Sequence, residues 1–195
     1  LDEALKKLIE EHDIHIMGPN CLGVIAPHAK LNAAFGGPLP KAGNVALLSQ
    51  SGAIISSLCD WAGLRHFGFS KVVSLGNTLQ LNENDCLEYL ANDKDTEVIV
   101  LFLKHFHDKA QFLSRAAQIS KRKSIVLYKA GGEKAITPEL QKELEAAGIL
   151  LATSLEELYN TTHLCSVVPL PKGKMTTVIT NAGGPGVIAT DAVQD

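Results

Sequence analysis

Four short runs in this chain are apolar almost without a break: Val45–Leu48, Val72–Leu75, Val98–Leu103 and Ile125–Tyr128. Strands with one wet face alternate apolar and polar residues. Continuous apolarity requires both faces to be covered, as in a parallel sheet sandwiched by helices. Each run is followed by a helical pattern. Read in order, strand 44–48 leads to helix 52–62, strand 71–75 to helix 83–92, and strand 97–103 to helix 109–120. Strand 124–129 then leads to helix 138–147, and strand 149–152 to helix 155–163. Five successive strand–helix units predict an α/β domain with a doubly wound parallel sheet, of flavodoxin-like order and with right-handed crossovers.

Composition excludes several alternatives. The 195 residues are 46% hydrophobic and 20% charged, which is wrong for a disordered chain. No apolar run approaches the ~20 residues that span a bilayer, so no membrane role is expected. With 18 Lys+Arg against 21 Asp+Glu the net charge is −3. No basic stripe is present to neutralise phosphates, which argues against nucleic acid. Cys21, Cys59, Cys86 and Cys165 are scattered without a CxxC pair, so neither a zinc site nor a disulfide framework is expected, and a cytoplasmic setting is. The closest histidine pair, His105 and His107, lacks a companion ligand, and no metal is expected.

Outside the regular units lie an amphipathic helix over residues 2–13, a short strand over 14–17 and a long irregular stretch over 18–43, rich in Gly, Pro and Asn. Residues 167–174 (VVPLPKGK) read as a linker, followed by an apolar strand over 175–180 and a helix from Val187. Leu1 opens directly in a helical pattern and Asp195 closes on a helix barely begun, so the sequence reads as an excerpt of a longer polypeptide.

Several turns carry possible chemistry. Ser49-Gln50-Ser51-Gly52-Ala53 joins a buried strand to a helix, where unpaired N–H groups and the positive end of the macrodipole attract an anion. The bland alternative is a Ser51 N-cap with Gly52 easing the turn. A serine nucleophile is a third reading, but the Gly that an elbow needs before the serine is missing. Asn181-Ala182-Gly183-Gly184-Pro185-Gly186 is a second anion-loop candidate, or an ordinary turn. Cys21, beside the polar Asn20 after a strand, is either a reactive thiol or a structural cysteine, and Gly76-Asn77 places polar groups at a strand end, to bind or to cap.

The runs MGPNCLGVIAPHAKLNAAFGG, PKAGNVALLSQSGAIISSLCDWA, GFSKVVSLGN and LEYLANDKDTEVIVLFL, with ATSLEELYN and VITNAGGPGVIATDA, together resemble the NDP-forming acyl-CoA synthetases. The similarity is greatest to the ADP-forming acetate–CoA ligase type, with succinyl-CoA synthetase α subunits more distant. It implies a layout: residues 1–19 as the tail of a CoA-binding Rossmann-like domain, 20–168 as the flavodoxin-like ligase domain, 169–174 as linker, and 175–195 as the start of a second such domain. It implies a reaction in which acid, CoA and ATP interconvert with acyl-CoA, ADP and phosphate. An acyl phosphate forms, and a histidine then carries its phosphoryl group to the nucleotide. The cofactors implied are coenzyme A and ADP/ATP with Mg, the nucleotide held mostly on an ATP-grasp domain or subunit of an oligomer. The phosphate would rest on Ser49, Gln50, Ser51, Gly52, Ala53, Gly183, Gly184 and Gly186. The CoA thiol end and acyl group would lie by Asn20, Cys21, Gly76 and Asn77.

Two departures stand against that pattern. The family carries its phosphoryl histidine in a Ser-His-Thr-Gly loop after the strand ending Lys129-Ala130-Gly131. Here the chain runs through Lys134-Ala135 to Pro138, and no histidine lies between His107 and His163. The supporting glutamate after the third strand is matched by Lys104. Either the loop is deleted, leaving a silent CoA-binding homologue like those fused to lysine acetyltransferases, or it is absent from the sequence as given.

Overall fold

The computed structural model describes residues 2–35, 37–131, 136–169, 171, 173 and 175–194. Seven strands form one sheet: β1 (Gly23–Ala26), β2 (Leu31–Ala34), β3 (Ala42–Ser49), β4 (Phe69–Ser74), β5 (Val98–Leu103), β6 (Ser124–Lys129) and β7 (Ile149–Ala152). Their order is β2-β1-β4-β3-β5-β6-β7. The five strands β4-β3-β5-β6-β7 are mutually parallel, and this is the flavodoxin-like order expected.

Period two divides the strands between two cores. Ala46, Leu48, Ile99, Leu101, Ile125 and Leu127 face α3 (Glu83–Asn92), α4 (Lys109–Ile119) and α5 (Pro138–Ala146). Their neighbours Val45, Leu47, Val98, Val100 and Val126 face α2 (Gly52–Arg65) and α6 (Leu155–Val167). Burial on both faces is the physical reason the strands read as unbroken apolar runs.

The stretch over 18–43 holds more order than its composition predicts. β1 and β2 pair antiparallel through a 3-10 turn at Pro27–Ala29, and β1 pairs antiparallel with β4. The sheet is therefore mixed. Lys30 takes a left-handed φ of 54° to close the hairpin, a turn whose signal is spread over Pro27 and Lys30 rather than an Asn-Gly pair. Residues 14–17 form no strand; only Met17 bridges, to Leu81. The helix expected over 2–13 is α1 (Asp2–Glu11). Residues 175–180 are in no strand either, since no partner strand among the described residues takes up their backbone groups. The helix expected from Val187 begins earlier, as α7 (Gly183–Gln194).

Most helix starts are closed by side chains. Asn82 and Asp85 form a capping box on α3, and Asp108, Thr137 and Ser154 accept amide hydrogen bonds at α4, α5 and α6. Ser51, at the start of α2, makes no such bond.

Candidate functional site

The loop from β3 to α2 leaves the sheet at its central strand. Ser49 is fully buried, and its hydroxyl accepts from Ser51 N–H (3.0 Å) and donates to Ser51 C=O (2.8 Å). That engagement removes Ser49 as a nucleophile poised for attack. Gln50, 5% exposed, turns inward: its Oε1 accepts the N–H groups of Lys104 (2.7 Å) and His105 (3.2 Å), while its Nε2 donates to His105 C=O (3.1 Å). The Gln50 side chain is thus committed to the turn after β5, leaving only its backbone for a ligand. Ser51 sits at the N-cap position without capping, so the first amides of α2, at the positive end of the dipole, have no side-chain cap. Gly52 is small for a packing reason, since a Cβ there would lie 2.9 Å from Leu22 Cγ.

The second pair of candidates converges beside it. Asn77 N–H donates to Pro19 C=O (2.9 Å) and Leu79 N–H to Gly18 C=O (2.8 Å), laying segment 18–22 against the loop after β4. Leu22 N–H donates to Ser74 Oγ (2.8 Å). Gly76, at φ 59°, has no room for a Cβ: it would meet Pro19 C=O and lie 2.8 Å from Asn20 C=O. Asn20 and Thr78 also adopt left-handed backbones, at φ 56° and 53°. The exposed amides of Asn20 and Asn77 meet at 3.3 Å. Cys21 Sγ–H points to Met17 C=O at 3.5 Å. Strand pairing of Ser49 with Ser74, and the bond from Leu75 N–H to Ser49 C=O (2.8 Å), join the two loops into one rim.

The turn past β5 adds residues to this rim that no sequence motif marks. His105 and His107 lie beyond Leu103, off the strand, so they do not share a strand face. The His105 ring reaches Thr78 at 3.4 Å from Nε2. Thr78 already donates its hydroxyl proton to Asn77 C=O (2.8 Å), so it accepts from His105. Lys129 Nζ donates to Lys104 C=O (2.6 Å) and Ala130 C=O (3.1 Å), and burial pushes its ammonium below the usual lysine range. The available signal was position: polar residues directly after an apolar run stand at the carboxyl end of a parallel strand.

Other candidates stand apart. Gly183, Gly184 and Gly186 open α7, and a Cβ at Gly183 or Gly184 would meet nothing within 4 Å. The hydrogen bonds described there are local, such as Ala182 N–H to Thr180 Oγ1 (3.1 Å). The junction Lys134-Ala135 lies outside the described residues. Burial pushes the thiols of Cys59 and Cys86 up to about 11 and about 12, with nearby carboxylates adding to the effect, so neither is a nucleophile at neutral pH. Among the described residues no helix is long and apolar enough to cross a membrane.

Comparison with known proteins agrees with this architecture. The model of the succinyl-CoA ligase like flavodoxin domain matches residues 42–165. An ADP-forming acetate–CoA ligase of Methanocaldococcus jannaschii is 40% identical over 209 aligned positions, covering 100% of this chain and 30% of the relative. The α subunit of ADP-forming acetate–CoA ligase I from Pyrococcus furiosus is 35% identical, over 100% of this chain and 45% of the relative. A structure from Candidatus Korarchaeum cryptofilum, a dinucleotide-forming acetyl-coenzyme A synthetase 1 with phosphate and ADP, superposes with a TM-score of 0.88 at 32% identity. It covers 99% of this chain and 45% of that one. The chain thus spans between 30% and 45% of the length of these relatives. The match over most of the α/β unit, in strand order and in sequence, makes this chain a member of the succinyl-CoA ligase like flavodoxin domain family.

Proposed function

We propose that this chain is the ligase-domain part of an NDP-forming acyl-CoA synthetase. The whole protein would interconvert carboxylic acid, CoA and ATP with acyl-CoA, ADP and phosphate. The observation that carries this reading is the rim itself: uncapped α2 amides beside the paired loops of Asn20-Cys21 and Gly76-Asn77. Phosphate would rest on the backbone of Ser49–Ala53, with Gly183, Gly184 and Gly186 supplying a second cradle once the segment from Met175 is packed as a domain. Residues 1–19 would close a CoA-binding domain, and an ATP-grasp domain or subunit of the oligomer would present ADP or ATP with Mg.

In the thioester-to-phosphate direction, a phosphate oxygen attacks the acyl carbonyl carbon. The C–S bond breaks, CoA leaves as a thiolate that takes a proton, and an acyl phosphate remains. The α2 amides stabilise charge on the phosphate oxygens, a contribution of preorganised dipoles. Asn20 and Asn77 amides orient the acyl oxygen. The phosphoryl group then requires a carrier, and no histidine lies between His107 and His163.

That absence, together with Lys104 at the place of the supporting glutamate, favours a second reading: a CoA- or acyl-CoA-binding domain without phosphoryl transfer. The alignment of 209 positions against 195 residues leaves the relative with positions that this chain lacks. Mixing the full protein with CoA and phosphate in a calorimeter tests the shared binding step. Exposure of the full protein to labelled Mg-ATP separates the two readings: acid-labile label on histidine supports the ligase, and CoA binding without label supports the silent domain. Failure to bind either CoA or phosphate overturns both.

A further inference from the structure

The turn after β5 is gripped from two sides. At its start the Gln50 side chain holds the backbone of Lys104 and His105 through three hydrogen bonds of 2.7–3.2 Å. At its end Glu83 Oε1 accepts the His107 N–H (2.6 Å), and Asn84 Nδ2 donates to Asp108 C=O (3.2 Å). Asp108 then caps α4 through Gln111 N–H (3.0 Å). Glu83 and Asn84 are fully buried in the first turn of α3, which follows the loop of Gly76 and Asn77.

A glutamate is a costly residue for a purely structural post at that position. Its Oε2 is buried without a hydrogen-bond partner among the described residues, as is Asn84 Oδ1. A buried acceptor without a donor destabilises the folded state, and an apolar side chain would serve the core better. The α3 dipole offsets only part of this. What the carboxylate does, and a leucine cannot, is hold the His107 N–H.

We propose that Glu83 is a positioning residue of the rim. It anchors the Lys104–Asp108 turn from the α3 side, which keeps His105 against Thr78 and gives Gln50 a fixed backbone to lock onto beside the α2 amides. The link to ligand binding rests on reading the rim as an anion site; the anchoring itself does not.

The test compares Glu83→Ala with Leu144→Ala, a fully buried α5 residue in the core, in the whole chain. Leu144→Ala measures what general destabilisation does. Glu83→Ala should speed amide exchange at Lys104 and His105 by about tenfold beyond that control at equal Tm loss. It should also weaken inorganic phosphate binding by about fivefold, while Glu83→Gln, which keeps an acceptor for His107, restores most of both. Equal exchange in Glu83→Ala and Leu144→Ala overturns the proposal. If Glu83→Ala does not fold, Glu83→Asp, which draws the carboxylate back by one methylene, is judged by the same criterion. If the wild-type chain binds no phosphate, the anion reading of the rim fails, and the exchange rates still decide the role of Glu83.

Discussion

The two ends of the parallel strands treat the same backbone chemistry in opposite ways. At the amino end the polar groups answer one another. Ser70 meets Thr96 (2.6 Å), Thr96 donates to Asp93 (2.5 Å), and Asp93 pairs with Lys71 (3.1 Å). Lys123 closes the C-terminus of α3 by donating to Leu90 C=O and Asp93 C=O, each at 2.6 Å. At the carboxyl end α2 starts uncapped, three residues from Gly76 to Thr78 turn through left-handed or exposed positions, and Asn20, Asn77, Lys104 and His105 face solvent. A network that satisfies itself stabilises; polar groups left open remain available to a ligand.

Breaking the carboxyl end by overfilling gives the largest expected effect. Gly76→Val adds a Cβ onto Pro19 C=O and Asn20 C=O at a left-handed φ, and neither backbone group can move aside cheaply. The loss is expected to be about 3 kcal/mol, read by urea unfolding, with phosphate binding abolished. Stability without that loss would mean the two loops are not held as a unit.

The amino end is next. Asp93→Ala leaves Lys71, 14% exposed at its side chain, without its near partner, at an expected cost of about 2–3 kcal/mol. Phosphate binding should be unchanged, which is what separates the two ends. The same pair predicts an acid limb. Burial pushes the Asp93 carboxyl up, but hydrogen bonds from Thr96 and Lys71 and the Lys71 charge outweigh it and hold the carboxyl below its ordinary value. A carboxyl lowered in the folded state stabilises above the unfolded value of about 3.9 and loses that stabilisation as pH falls through the folded value. Unfolding free energies between pH 5 and pH 2 should therefore fall more steeply in the wild type than in Asp93→Ala.

These two ends were unequally legible in the sequence. Strands β3 to β6 and the helices that follow announce themselves, because burial on both faces forces apolar runs and helix starts recruit Asn82, Asp108, Thr137 and Ser154. Ser49–Ala53 was legible as a strand-to-helix turn from its place after a buried strand. The hairpin of β1 and β2 was hidden, since residues such as Gly23, Pro27 and Lys30 serve loops and tight hairpins alike. Gln50 looked like a ligand contact, yet its amide is spent on the turn after β5, a contact 55 residues away in sequence that no local pattern encodes. Glu83 was invisible for the same reason: in the sequence it is an ordinary acidic first-turn residue.

Within the rim, Gly52 and Asn77 separate packing from binding. Gly52→Val brings a Cβ to 2.9 Å from Leu22 Cγ, the flexible end of a side chain, so the fold should give by about 1 kcal/mol. The added methyls cover the α2 amides, and phosphate affinity should fall by about tenfold, more than the stability change accounts for.

Asn77→Ala is the smallest change and the sharpest test. The exposed Asn77 side chain makes one described contact, accepting from Asn20 Nδ2 at 3.3 Å, while the backbone N–H that holds Pro19 is untouched. Tm should therefore move by no more than the ~0.5 kcal/mol typical of surface substitutions. On the proposed reading the acyl group loses an amide donor, so acyl-CoA affinity should fall by about threefold to tenfold, the worth of one hydrogen bond. Inorganic phosphate, which the proposed reading seats on α2, should bind as before. An equal loss for both ligands would mean that the rim is one undivided anion surface. Loss confined to acyl-CoA would divide it into a phosphate seat on α2 and an acyl seat on the paired loops.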